Sequence, residues 1–317
     1  MKKIIALVIL ILGCSPTKAT PIDSISSFTF QKMALLDECD VCGCAASGGS
    51  LGNNSILTTN FVGLRYFNQT YTSRDGIFEN SPWIDENFNT IQAWARIPIG
   101  KKIQITALIP YNKHERNLTS GTQNLTGFGD ITLIGLYNIY QTSKANSYIL
   151  HRLSTGVGVK IPTGKFTERN NFGTINQGYQ LGTGSWDYSL ISEYTVSRKK
   201  IGVNSTINYI LKTENSKNYR YGNQLNYSSV LFYRFGLKEI QFVPQAGVVG
   251  EVYQTNKQFG LEVPNTQGDI LFNKFGFEAA INKISFGINA MLPINQNLSS
   301  GKMEAKNRWS ISLIYSI

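Results

Sequence analysis

The sequence predicts an all-β fold: an up-and-down antiparallel transmembrane β-barrel of about 12 strands, with short periplasmic turns and longer external loops. Three observations carry that reading. Segments of about ten residues or a little more alternate apolar and polar side chains, the period of a strand and the length of a tilted membrane strand. The connections between them alternate between short basic turns and longer polar loops. The chain also opens with an export signal, and no later window is apolar enough for a spanning helix.

The opening "MKKIIALVILILGCSPTKAT" places Lys2 and Lys3 before an apolar run from Ile4 to Leu12. A spanning helix needs about 20 apolar residues, so the run reads as a secretory signal over residues 1–19, cleaved after Ala19. A second processing route reads Leu12-Gly13-Cys14 as a lipoprotein signal with Cys14 lipidated. Residues 20–54 follow as a periplasmic segment carrying Cys39, Cys42 and Cys44 in "CDVCGC". Outside the cytoplasm such cysteines pair, and either route leaves an odd number, so one disulfide plus one further thiol is one reading. The other is three thiolates around a soft metal, Cu or Zn. "ASGGSLG" then tethers this segment to the barrel, residues 55–317.

Twelve alternating segments fall at about 55–68, 87–100, 101–112, 126–141, 147–162, 180–198, 200–213, 220–236, 238–253, 268–282, 283–295 and 305–317. The last is the clearest. In "RWSISLIYSI", Trp309, Ile311, Leu313, Tyr315 and Ile317 share one face and Ser310, Ser312 and Ser316 the other, with Ile314 out of phase. "KISFGINAML" repeats the pattern with Ile284, Phe286, Ile288, Ala290 and Leu292. Short turns are expected at Gly100-Lys101, near Ser143-Lys144, and at Arg198-Lys199, Gly236-Leu237 and Asn282-Lys283. Longer loops are expected at about 69–86, 113–125, 163–179, 214–219, 254–267 and 296–304. This alternation puts both chain ends on the periplasmic side of an outer membrane. Pro244 lies within a strand and predicts a bulge or irregular pairing there.

Aromatic residues near strand ends (Phe67, Trp94, Tyr111, Tyr140, Tyr148, Trp186, Tyr194, Tyr253 and Trp309) read as interfacial girdles. With the apolar face toward lipid, a basic side chain on that face at mid-membrane would cost about 2–4 kcal/mol. Parity therefore turns Arg65, Arg96, Asp130, Arg152, Lys160, Asp187, Glu193, Arg234, Glu251, Lys274 and Glu278 into the lumen. The turns carry Lys101, Lys102, Lys144, Arg198, Lys199, Lys200, Lys238 and Lys283, a basic collar suited to anionic headgroups of outer-membrane lipids or to plain snorkelling. The net charge of +10 is not a nucleic-acid footprint, because no basic helix, zinc finger or aromatic-basic RNA motif accompanies it.

Three pieces, "GFGDITL" (Gly127 to Leu133), "KIPTGKF" (Lys160 to Phe166) and "GTGSWDYSL" (Gly182 to Leu190), resemble in order and spacing the outer-membrane barrels of the phenol meta-degradation, transporter-like family. The resemblance covers the barrel and not the cysteine segment. It departs at the terminal Ile317, where such barrels commonly end in an aromatic residue. It implies a passive channel or transporter for small solutes, hydrophobic or aromatic ones among them, and brings no catalytic residues. Twelve strands lie between barrels filled by side chains and those with open channels, so the alternative is a non-transporting docking barrel whose cysteine segment binds a soft metal or a periplasmic protein. An enzyme is not expected. The two histidines, His114 in an expected external loop and His151 near the periplasmic end of a strand, have no serine clearly placed against either.

Overall fold

The computed structural model describes residues 55–74, 80–119, 121–142, 148–170 and 173–317. The export signal, Cys14, Cys39, Cys42, Cys44 and the turn at Ser143-Lys144 lie outside the described residues.

Among the described residues the chain makes one closed meander of twelve staves. They are β1 (Phe61–Arg74), β2 (Trp83–Ile99), β3 (Ile103–Leu118), β4 in two pieces (Gly121–Phe128 and Ile131–Gln141), β5 (Leu150–Ile161), β6 (Asp187–Arg198), β7 (Ile201–Leu211), β8 (Gln224–Tyr233, continued by Phe235–Leu237), β9 (Ile240–Tyr253), β10 (Gly268–Ile281), β11 (Ile284–Leu298) and β12 (Met303–Ser316). Each pairs antiparallel with its chain neighbour, and β1 pairs with β12 from Phe61↔Ser316 to Ser73↔Met303, which closes the wall.

The alternating pattern explains the closure. Side chains such as Leu64, Ile91, Leu133, Leu231, Phe286 and Leu313 point outward and stay exposed. On a soluble protein such a continuous apolar surface would be a liability; on a membrane barrel it is the lipid face. At the end holding both Phe61 and Ser316, two-residue turns join the staves at Lys199-Lys200, Lys238-Glu239 and Asn282-Lys283. Lys199, Lys238 and Asn282 there have φ of 52, 55 and 50°. The collar is exposed and rests partly on the aromatic belt: the Arg198 guanidinium lies 4.0 Å from the Tyr148 ring centroid and the Lys283 ammonium 5.7 Å from that of Tyr315.

Two expectations need correction, and a third, at Pro244, is met in one of its two forms. The segments expected as loops at 69–86 and 113–125 are largely strand, since β1 runs to Arg74, β2 starts at Trp83, and β3 and β4 form a tall hairpin paired up to Leu118↔Gly121. Their polar composition marks strand emerging above the lipid, not the absence of strand. Pro244 keeps register with Phe277 and shows no bulge. The irregular pairing expected there is present, as a gap in the β8–β9 ladder between Phe232↔Gln245 and Phe235↔Phe242, where proline offers no donor. Finally, Phe67, Trp94 and Tyr253 are buried inside and do not belong to the girdles. Each shares parity with a lumen charge two residues away: Arg65, Arg96 and Glu251.

The β3–β4 hairpin carries one further irregularity. Among the described residues its piece Gly121–Phe128 pairs with β3 only, because β5 ends at Ile161 opposite Ile131. The wall is thus lower at β5, β6 and β7 than at β3, and the long connection 162–186 folds in at that place.

Candidate functional site: the lumen and its loop

The eleven charged residues assigned inward by parity are all buried or half-buried. They form four groups along the barrel, counted here from the turn end to the loop end.

At the turn end Arg96 makes a two-pronged ion pair across the lumen with Glu193, at 2.9 and 3.2 Å. Arg152 donates to Gln104 Oε1 at 3.0 Å. Opposite them, the Glu278 carboxylate accepts from the backbone N–H groups of Ile56 and Leu57 and from Ser55 Oγ and Gln245 Nε2, while Arg234 Nη2 donates to Ile56 O. The residues leading into β1 are therefore fastened inside the barrel mouth by one carboxylate and one guanidinium. A cavity of about 250 Å³ lies between the two groups, lined by Arg96, Arg152, Arg234, Glu193, His151 and Phe232 among others.

Above it the lumen turns apolar. Phe61, Trp94, Leu108, Ile134, Leu136, Ile191 and the out-of-phase Ile314 pack together, with the Arg65 guanidinium 4.5 Å from the Trp94 ring centroid. A second, small cavity of about 20 Å³ sits among these side chains and shares Arg96 and Glu193 with the first. The ion pair thus stands between the two spaces. Lys274 is buried at the same general level as Arg65, which lies within its electrostatic reach.

The third group explains the three glycine-containing motifs. Asp130 Oδ1 accepts from Gly164 N–H at 3.0 Å, and Oδ2 accepts from Thr183 N–H and Thr183 Oγ1, both at 2.9 Å. Lys160 bridges Asp130 (3.2 Å) and Asp187 (2.6 Å), and Lys212 reaches Asp187 at 3.2 Å. Thr163 Oγ1 donates to Gly129 O at 2.9 Å, and Gly182 N–H donates to Lys165 O at 2.9 Å. A Cβ on Gly164 would come within 2.8 Å of Gly182 Cα and 3.0 Å of Gly129 Cα, so these backbones meet where no side chain fits. The motifs form a clasp that binds both ends of connection 162–186 to the β4 wall.

What the clasp holds is the fourth group. Tyr179 is fully buried, and Ile175 and Leu181 nearly so, against Tyr71, Phe88, Leu125 and Phe272. The Tyr179 hydroxyl donates to Gln123 O at 3.1 Å, covering the otherwise unpaired edge of Gly121–Phe128. The Arg116 guanidinium lies 4.9 Å from the Tyr179 ring centroid and pairs with Glu86 at 2.9 Å. Arg308 crosses to Glu251 at 2.6 Å and also donates to the Tyr71 hydroxyl. The connection 212–223 braces the loop from above: Asn215 Nδ2 donates to Thr183 O and Lys217 Nζ to Phe166 O. The loop end is thus filled by an infolded loop on an aromatic floor.

His114, expected in an external loop, is buried in β3 between the rings of Phe88 and Tyr179, with Nδ1 3.4 Å from Tyr179 O. His151 Nδ1 lies 2.7 Å from the Tyr194 hydroxyl. Glu86, Arg116, Lys212 and Arg308 are lumen charges that parity had not assigned. Arg308 and Lys212 carry the right parity, two residues from Ser310 and four from Asn208. Glu86 and Arg116 were hidden by the shorter strands expected there.

One solved structure shares this architecture. An outer membrane channel from Pseudomonas putida F1 superposes with a TM-score of 0.61 at 13% identity, over 82% of this chain and 96% of that one. The β-domain of the Bordetella autotransporter BrkA follows with a TM-score of 0.46 at 9% identity, over 82% and 100%. The translocator domain of the autotransporter NalP from Neisseria meningitidis gives 0.42 at 11%, over 92% and 96%. No curated protein matches the sequence. The family described as "Putative MetA-pathway of phenol degradation" matches residues 88–299, from within β2 to just past β11 and across all three clasp motifs; the chain is an outer-membrane-type β-barrel that belongs to this family.

Proposed function

We infer that the barrel is a passive outer-membrane channel for small solutes, single-ring aromatic compounds among them, with both chain ends in the periplasm. The observation that supports this best is the stacking of two cavities along the axis, a polar one at the turn end and an apolar one above it, meeting at the Arg96–Glu193 pair. A barrel built only as a filled wall has no need of a mouth of about 250 Å³ that leads onto apolar side chains. Connection 162–186 is the part of the path that must move, since Tyr179 and Leu181 are buried in the aromatic cluster at the loop end. Passage is driven by the solute gradient. The fold of the Pseudomonas channel supports the class of function, and family membership supports the solute class.

The test is single-channel recording in planar bilayers together with swelling of liposomes in single-ring solutes. Discrete conductance steps, and swelling faster than in protein-free vesicles, are expected. Silence in both from a barrel shown to be folded would refute passage. It would favour the rival reading, a docking barrel, which the filled loop end supports. In that reading Cys39, Cys42 and Cys44 serve a periplasmic partner or a soft metal, and intact-mass measurement with and without Zn or Cu(I) decides between bound metal and disulfide.

A further inference from the structure

We propose that the turn-end cavity is a binding site for a small organic anion, a monocarboxylate with an apolar body about the size of one ring. The proposal deepens the channel reading by naming the solute class that the mouth selects, and it rests on that reading for its purpose though not for the binding itself.

The charge around the cavity is unbalanced. Among the described residues three guanidinium groups, Arg96, Arg152 and Arg234, line it with a single carboxylate, Glu193. That carboxylate is already committed, both oxygens to Arg96. Glu278, which lies within electrostatic reach of Arg234, is committed as well, to the backbone at Ile56 and Leu57 and to the Ser55 and Gln245 side chains. Among the described residues Arg152, within electrostatic reach of Glu193, and Arg234 hydrogen-bond only to neutral groups, one oxygen each from Gln104 and Ile56, and the buried Nε of Arg234 has no partner among them. A guanidinium presents five N–H donors in a planar fork that matches a carboxylate. Two such forks therefore line a water-accessible space, and among the described residues they keep donors that a ligand can take.

The rest of the lining sets the shape of that ligand. Phe232 carries the Arg234 guanidinium 4.8 Å from its ring centroid, so a flat apolar group entering beside it meets an aromatic face next to a cation. Leu150 and Ile56 add aliphatic surface, and Thr195, Ser197 and Asn204 supply neutral polar walls that tolerate water. The volume, about 250 Å³, holds a single ring with its carboxylate and several waters. From there the apolar cavity above the Arg96–Glu193 pair continues toward Trp94 and Leu108.

The experiment is isothermal titration of the full chain, refolded in detergent, with benzoate and with benzyl alcohol, its neutral counterpart of equal ring size. Benzoate is expected to bind at least tenfold more tightly, and the double substitution Arg152→Gln with Arg234→Gln to reduce benzoate to the level of benzyl alcohol. Arg152→Lys with Arg234→Lys keeps the charge, loses the forks, and should fall between. Equal binding of the two ligands to the unsubstituted protein would overturn the proposal without reliance on any variant. Unchanged benzoate affinity in a heat-modifiable, hence folded, Gln/Gln barrel would overturn the placement. A barrel that binds benzoate yet never conducts would refute the channel reading and leave the site standing.

Discussion

Replacing Asp130 with alanine should release connection 162–186 while the barrel stays closed. The substitution removes the acceptor for Gly164 N–H and for the Thr183 N–H and hydroxyl. Lys160 is not orphaned, because Asp187 remains 2.6 Å away, so the loss falls on the loop ends. Each hydrogen bond to a charged group contributes about 1.5–3 kcal/mol, and losing the anchor at each end at the lower value gives about 3 kcal/mol. At 1.4 kcal/mol per factor of ten, the released state becomes about a hundredfold more populated. The assay is limited trypsin digestion at the Lys165–Phe166 bond. The Lys165 side chain is already exposed, but its carbonyl is held by Gly182 N–H. Cleavage of a transiently opened segment follows the population of the open form when reclosing is fast, so the rate should rise by about two decades. Asp130→Asn keeps an acceptor for Gly164 but turns an amide toward Thr183, and should give an intermediate rate. Cleavage of Asp130→Ala at the original rate, in a barrel that still migrates as folded on unheated gels, would refute the clasp.

Other perturbations test the remaining groups. Gly164→Ala forces a methyl against Gly182 and Gly129; overpacking costs about 1–3 kcal/mol, so digestion at Lys165 should quicken by roughly ten- to hundredfold with little change in barrel melting. Arg308→Ala strands Glu251 in a buried site, at a cost of about 3–5 kcal/mol, and should lower the temperature of heat modification; Arg308→Met with Glu251→Leu should recover most of the loss. Glu193→Gln frees Arg96 and makes the passage more anion-selective, which a shift of reversal potential under a salt gradient will report.

The wall was legible in the sequence because a membrane strand repeats a simple rule. Every second residue must be apolar, and one charge out of phase fixes which face is which. Arg65 beside Leu64, or Lys274 beside Phe275, decides the orientation of a whole stave. The rule fails where the strand leaves the lipid, because the outward face is then free to be polar. That is why β1, β2 and the β3–β4 hairpin run further than the alternation predicts, and why Glu86 and Arg116 were missed. It fails again for aromatic residues, which serve equally in a girdle or a lumen; the parity of the neighbouring charge, not the ring itself, distinguishes Trp94 from Trp309. The three glycine motifs were visible, but their meaning was not. Gly129, Gly164 and Gly182 meet only after the loop has folded inward, a contact between segments that no local pattern records. Tyr179 carries no mark at all, being one tyrosine in a polar loop until the barrel encloses it.

The seam between β1 and β12 has a consequence for how such a molecule comes into being. Phe61 and Ser316 are paired there, although almost the whole chain lies between them. Relative to a tight turn, the span is roughly six doublings of loop length, about 3.6 kcal/mol of closure entropy. Neighbouring hairpins incur almost none of this, so the sheet can be assembled stave by stave and still be a sheet with two long open margins. Those margins are raw templates for any other strand, and they persist until β12 meets β1. The final event is therefore both the slowest to arrange and the one that removes the hazard, and assembly of this barrel depends on its edges being held apart from other chains until the ring is complete.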